Sequence, residues 1–178
     1  LAMAPKYAEA LKPGSMAILA EGMDPEAYGL KAAIFAPRPR LLMAGLTRAF
    51  DAGPDIASGI HPTAVVDPSA MIGVDAAIGP FVVIGPDVEL APGVEVRSHA
   101  IITGLTKVGE NTKVFSNTIL GEQPQDKSFS GQETQLIIGR ANVIRENVVI
   151  HVGTPTGGGC TRVGDDNFIM NGAHVGHD

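Results

Sequence analysis

Residues 72–96 read IGVDAAIGPFVVIGPDVELAPGVEV, with an aliphatic side chain at Ile72, Ile78, Ile84, Leu90 and Val96. The same six-residue step reaches back to Ile60 and Val66 and forward through Ile102, Val108, Val114 and Leu120. Four residues beyond these positions stand smaller ones, from Ala64, Ala70 and Ala76 through Val82, Val88, Val94 and Ala100 to Thr106, Thr112 and Thr118. Gly follows the aliphatic residue at Gly73, Gly79, Gly85 and Gly109. A fixed short period of this kind marks a solenoid, in which each unit packs only on its neighbours. Each unit of six supplies a short strand and a turn. Its large side chain points inward, and the smaller residue leaves room near the corner. Three units close a triangular coil, and stacked coils pair as parallel strands.

The register breaks twice. GEQPQDKSFSGQETQL (121–136) puts Asp126 and Gln132 where aliphatics are due, after which Ile138, Ile144 and Ile150 resume the original phase. GTPTGGGC (153–160) shifts the phase by one, and Val163, Ile169 and Val175 carry on. A polar loop leaving a rigid solenoid is a natural seat for function or for an interface. Residues 1–57 do not follow the repeat. SMAILAEG and LKAAIFAP read as short buried strands ending at turn signals. RPRLLMAGLTRAFD reads as a helix with Pro39 in its first turn and Leu42, Leu46 and Phe50 on one face. The expected organisation is a small, incomplete α/β domain with its linker over 1–57, and a mainly β solenoid over 58–178.

Composition agrees with a narrow core rich in turns. Aromatics are 4%, Trp is absent, and the chain has 22 Gly and 13 Pro. The net charge of −6 and the lack of a basic run longer than Pro37–Arg40 argue against nucleic acid or an anionic membrane as partner. One cysteine, Cys160, gives no disulfide framework, which suits a reducing, cytoplasmic setting. No apolar run approaches the roughly 20 residues needed to span a bilayer, so no integral membrane segment is expected. The chain begins on Leu, without a secretory leader, and is expected to be cut at both ends.

The final run, MNGAHVGHD (170–178), carries the chemistry. His174 neighbours the inward Val175, so strand alternation turns it outward. His177 lies near a corner and is followed by Asp178. A histidine oriented by a carboxylate is a general-base arrangement, because the carboxylate fixes the tautomer and stabilises the imidazolium. His151, His174 and His177 could also offer nitrogen ligands to zinc, but the adjacent Asp suits acid–base work better, and no metal is expected. GGG (157–159) lacks the strand-to-helix setting and trailing Lys of a phosphate loop.

GEQPQDKSFSGQET (121–134), IGRANVIRENVVIHVGTPTGGGCTRVG (138–164) and DDNFIMNGAHVGHD (165–178) together resemble the hexapeptide-repeat acyltransferases of lipid A biosynthesis. Over residues ~72–178 the likeness is to the branch that O-acylates UDP-N-acetylglucosamine. Its sister branch, which N-acylates the UDP-3-O-acylglucosamine product, typically has Gln at the place of His174 and Asn at that of Asp178. The front of the chain resembles that sister branch instead, in APKYAEAL (4–11), APRPRLLMAGLTRAFD (36–51) and SGIHPTAVVDPSAMIG (58–73). The sequence is a mosaic of the two.

The resemblance implies a left-handed parallel β-helix, against the usual right-handed crossover. It further implies a homotrimer with sites between subunits. His177 would be the base that deprotonates the sugar 3-hydroxyl, and Asp178 would orient it. Asp126, His151 and His174 would contact the nucleotide sugar, and Tyr7 would stack on uracil. The acyl donor would be an acyl carrier protein thioester, which is already activated and calls for no cofactor. Three departures stand out. The family's lysine two residues after the loop Asp is Ser128 here, with Lys127 beside it. The aromatic that would complete the uracil stack with Tyr7 is Leu1. The coils and helices that follow the catalytic His in the family lie beyond Asp178. The alternatives are an N-acyltransferase, or a trimeric β-helix fragment without activity.

Overall fold

The computed structural model describes residues 2, 4–49 and 56–177. By contacts the chain divides into two compact units, Leu1–Gly53 and Pro54–Asp178.

In the first unit a single helical turn, α1 (Pro5–Ala8), precedes strand β1 (Met16–Leu19). A short 3₁₀ turn at Glu26–Tyr28 leads to strand β2 (Ala32–Phe35), and helix α2 spans Pro39–Ala49. β1 and β2 pair in parallel from Met16↔Ala32 to Leu19↔Phe35. The small core is Ala2, Ala8, Ala17 and Leu19, with Leu11, Met23, Tyr28 and Leu30 packed against it. Both expected strands and the helix are present, but only β1 is buried. Ile34 and Phe35 of β2 are 51% and 46% exposed, which corrects the reading of LKAAIFAP as a buried strand. Its apolar run reflects β propensity, not burial. Leu42 and Leu46 are half-buried, and Phe50 lies outside the described residues.

The second unit is a left-handed parallel β-helix with three flat faces. Among the described residues the first face stacks Gly59–Ile60, Ala77–Ile78, Glu95–Val96, Lys113–Val114, Val143–Ile144 and Phe168–Ile169. The second stacks Val65–Val66, Val83–Ile84, Ile101–Ile102, Ile119–Glu122, Val149–His151 and His174–Val175. The third stacks Met71–Ile72, Glu89–Leu90, Leu105–Val108, Gln135–Ile138 and Cys160–Val163. Paired strands are separated by three repeat units, as in Ile72↔Leu90 and Ile78↔Val96, so three units make one coil.

The core is the aliphatic column itself. Ile84, Ile102, Leu120, Ile144 and Ile150 are 0–1% exposed, and the smaller Val82, Val94, Ala100, Thr112 and Thr118 are fully buried beside them. Both residue classes therefore face inward, two apart, with one outward residue between them. Three residues past the aliphatic position the backbone turns left-handed. Asp75, Asp87, Asn111, Asn117, Asn147 and Asp166 all have φ of 56–59° there. Asp and Asn tolerate that region better than other side chains.

Down one inner corner the chain turns polar. Asn142 donates from Nδ2 to the carbonyls of Gly139 and Gly164, both at 2.8 Å. Its Oδ1 accepts from the Asn167 backbone N–H at 2.8 Å and from Asn167 Nδ2 at 2.9 Å. Thr112 Oγ1, one coil earlier, donates to the Gly139 carbonyl at 3.0 Å.

Both irregular segments leave the coil at one corner, between the second and third faces. Val108 pairs on one side with Leu90, a regular coil before it, and on the other with Ile138. The step from Val108 to Ile138 is five repeat units instead of three, so the first loop adds the length of two units and keeps the phase. Ile138 pairs in turn with Val163, which lies four units and one residue further on. The second loop therefore adds one unit and one residue, and that odd residue is the phase shift seen in the sequence. The strands on either side keep their inward residues in line.

Candidate active site

The second face positions the histidines. Ile150 and Val175 point inward and are paired, so the residues flanking them, Val149, His151, His174 and Gly176, point outward. His174 lies opposite Val149, which makes His151 its diagonal neighbour on the same face. The two rings meet edge to face with centroids 5.0 Å apart. His151 is 4% exposed, whereas His174 and His177 are exposed. Gly176, opposite His151, has no side chain to occupy the space beneath the ring. A Cβ there would lie 4.0 Å from His174 Cε1.

Burial pushes the His151 imidazole below its ordinary range, and the neighbouring His174 adds to the effect. A backbone hydrogen bond with Gly176 and the charge of Glu122 oppose it, and His177 lowers it a little further. His151 Nδ1 is buried and has no hydrogen-bond partner. A neutral ring with an unmet polar atom on this wall is suited to receive a hydroxyl or amide of a ligand.

Asp126 opens the first loop. Its Oδ1 accepts from the Ser128 backbone N–H and from Ser128 Oγ, both at 2.8 Å, in an Asx turn. Phe129 N–H donates to the Asp126 carbonyl at 3.0 Å. The loop thus has defined local structure, with Asp126 half-buried and Lys127 exposed. In the second loop Thr154 is buried, and its Oγ1 accepts from Gly157 N–H at 3.1 Å.

The structure therefore brings His151, His174 and His177 together, with the root of the Asp126 loop on the coil next to His151. Tyr7, 48% exposed on α1, belongs to the other unit. Asp178, the expected orienting carboxylate, lies outside the described residues. Among the described residues no group of three or more His, Cys, Asp or Glu side chains is placed to hold a metal ion. No helix among them is long and apolar enough to cross a membrane.

One neighbour was not legible in the sequence. Glu122 is the cross-strand partner of His151, because the register slips between Leu120 and Glu122. The six-residue count alone would have placed Gly121 there.

The chain is similar to the UDP-3-O-acylglucosamine N-acyltransferase of Paracoccus denitrificans, 72% identical over 67 residues, which are 38% of this chain and 18% of that protein. Among solved structures it is similar to LpxA from Acinetobacter baumannii, with 41% identity and a TM-score of 0.66 over 67% of this chain and 46% of that one. It is likewise similar to the UDP-N-acetylglucosamine O-acyltransferase LpxA of Moraxella catarrhalis, with 41% identity and a TM-score of 0.62 over 67% and 46%. The chain spans less than half the length of each of these proteins. A family model described as the GMPPB C-terminal domain matches residues 60–156, more than half of the chain, and the chain belongs to that family.

Proposed function

We propose that the protein is an acyltransferase of lipid A biosynthesis, which transfers a 3-hydroxyacyl group from acyl carrier protein to the 3-hydroxyl of UDP-N-acetylglucosamine. The observation that carries this reading is the histidine wall, with His151 buried edge to face beneath His174 and His177 beside them. His177 takes the hydroxyl proton as the sugar oxygen attacks the thioester carbonyl. The new C–O ester bond forms, the C–S bond breaks, and the proton returns to the departing carrier thiol. Asp178 orients His177. His151, His174 and Asp126 bind the sugar. The working form is a cytoplasmic homotrimer, and residues 1–57 form a head domain with its linker. The likeness to LpxA structures at about 41% identity supports the O-acyl reading.

A second reading replaces the hydroxyl acceptor with the amine of a UDP-3-O-acylglucosamine. The 72% identity to an N-acyltransferase over 67 residues favours it. Incubating the purified protein with 3-hydroxyacyl carrier protein and each acceptor separates the two. The expected outcome is an O-acylated product whose rate falls roughly 10²–10⁴-fold in His177→Ala, the usual contribution of a general base. Transfer that survives that substitution removes His177 as the base. Transfer to the amine alone selects the second reading.

A further inference from the structure

We propose that Glu122 is a positioning residue, whose carboxylate acts through His151 to hold that ring ready for the sugar. The inference rests on the acyltransferase reading for the identity of the ligand, but not for the link between the two residues. It begins with a local irregularity. Leu120 pairs with Ile150, so in an unbroken ladder the next residue, Gly121, would face His151. The ladder instead slips by one, and Glu122 becomes the partner of His151. Such a bulge re-aims a side chain that the regular pleat would send to the other side.

The slip is fixed in place. Gly121 has φ of 85°, and a Cβ there would collide with the Thr103 carbonyl oxygen and Thr106 Oγ1, so only glycine fits. Val152 N–H donates to the Glu122 carbonyl at 3.0 Å and locks the far side of the bulge. The result puts an acidic residue, where a glycine would have stood, across the strand pair from a histidine that is 4% exposed with Nδ1 unmet. Among the described residues, the charged and titratable groups facing His151 are Glu122 from the preceding coil and His174 and His177 from the following one. Glu122 alone among them favours a proton on His151. It therefore sets whether the ring meets a sugar hydroxyl as donor or acceptor.

The test uses the whole chain and its Glu122→Gln and Glu122→Asp variants. Glu122 is exposed, so both are expected to fold. The His151 ring is titrated by NMR, and UDP-N-acetylglucosamine binding is measured by calorimetry. The proposal expects the His151 midpoint to move down in Glu122→Gln and to return toward the parent in Glu122→Asp. It also expects affinity to fall roughly tenfold in Glu122→Gln, the change that about one charge-assisted hydrogen bond makes. An unmoved His151 midpoint in Glu122→Gln overturns it, whatever the affinities. If the parent chain binds no UDP-N-acetylglucosamine, the sugar reading fails, and the titration still decides the link between Glu122 and His151.

Discussion

His151 is the residue on which the site turns, and its titration carries a signed consequence for stability. Burial and His174 make the folded protein hold this proton less tightly than the unfolded chain does, whose imidazole titrates near 6.5. The unfolded state therefore binds more protons in the window below that value, and stability rises with pH there. The contribution is complete above the unfolded value and is lost as pH falls toward the depressed folded one. Urea midpoints measured at about pH 7.5 and about pH 5 should fall more for the parent than for His151→Gln. Equal falls would show that His151 is solvated and not buried against His174. At this scale the sequence was partly legible. Alternation placed His174 outward, where the structure has it. The burial of His151 was not legible, because it depends on Gly176 and Glu122 lying across from it in the coils on either side, each beyond an irregular loop.

At the scale of the elements, the six-residue register located the inward column from Ile60 to Val175, and the paired strands follow it through both interruptions. The periodicity worked because each strand is only two to four residues long and its inward side chain has one place to go. The corners hold a second signal that the aliphatic count passes over: Asp or Asn three residues on, as at Asp75, Asn111 and Asn147. Phe81, His99 and Ala141 take the same left-handed backbone without that chemistry, so no single-residue rule would have found every corner. The gradual change of the inner corner from Val94 to Thr112 to Asn142 has a sharper consequence. Asn142 satisfies two carbonyls and two N–H groups across neighbouring coils. Asn142→Ala removes this partner from the Gly164 carbonyl and the Asn167 backbone N–H, while Gly139 keeps Thr112 and Asn167 Nδ2 keeps the Asp165 carbonyl, and should cost about 1–3 kcal/mol, read from chemical denaturation. A cost below about 0.5 kcal/mol would mean that water replaces the amide.

For the β-helical unit as a whole, regularity and function are separable. The first loop can be removed without moving a strand, since deletion of 123–134 joins Glu122 to Gln135 and restores the one-coil spacing that Leu90 and Val108 already keep. Shortening a loop changes closure entropy little, so stability should shift by less than about 1 kcal/mol. UDP-N-acetylglucosamine binding should be lost with Asp126. Retained binding in the deletion would place the sugar elsewhere, and collapse of the β-sheet signal would show that the loop supports the coils. The first unit was the less legible one. Its strands and helix were found, but Ile34 and Phe35 proved exposed, because an apolar run states what a strand can do and not what covers it.

The stacking of coils also makes the molecule a ruler. Strands in a sheet repeat at about 4.8 Å, so equivalent positions on neighbouring coils are stacked at that spacing. Groups at equivalent positions on one face are therefore separated in whole steps of this size. Inserting one regular coil of three units would slide the histidines away from the Asp126 loop by one graduation without rotating them. A catalyst built on such a scale adjusts to a longer or shorter ligand by counting coils.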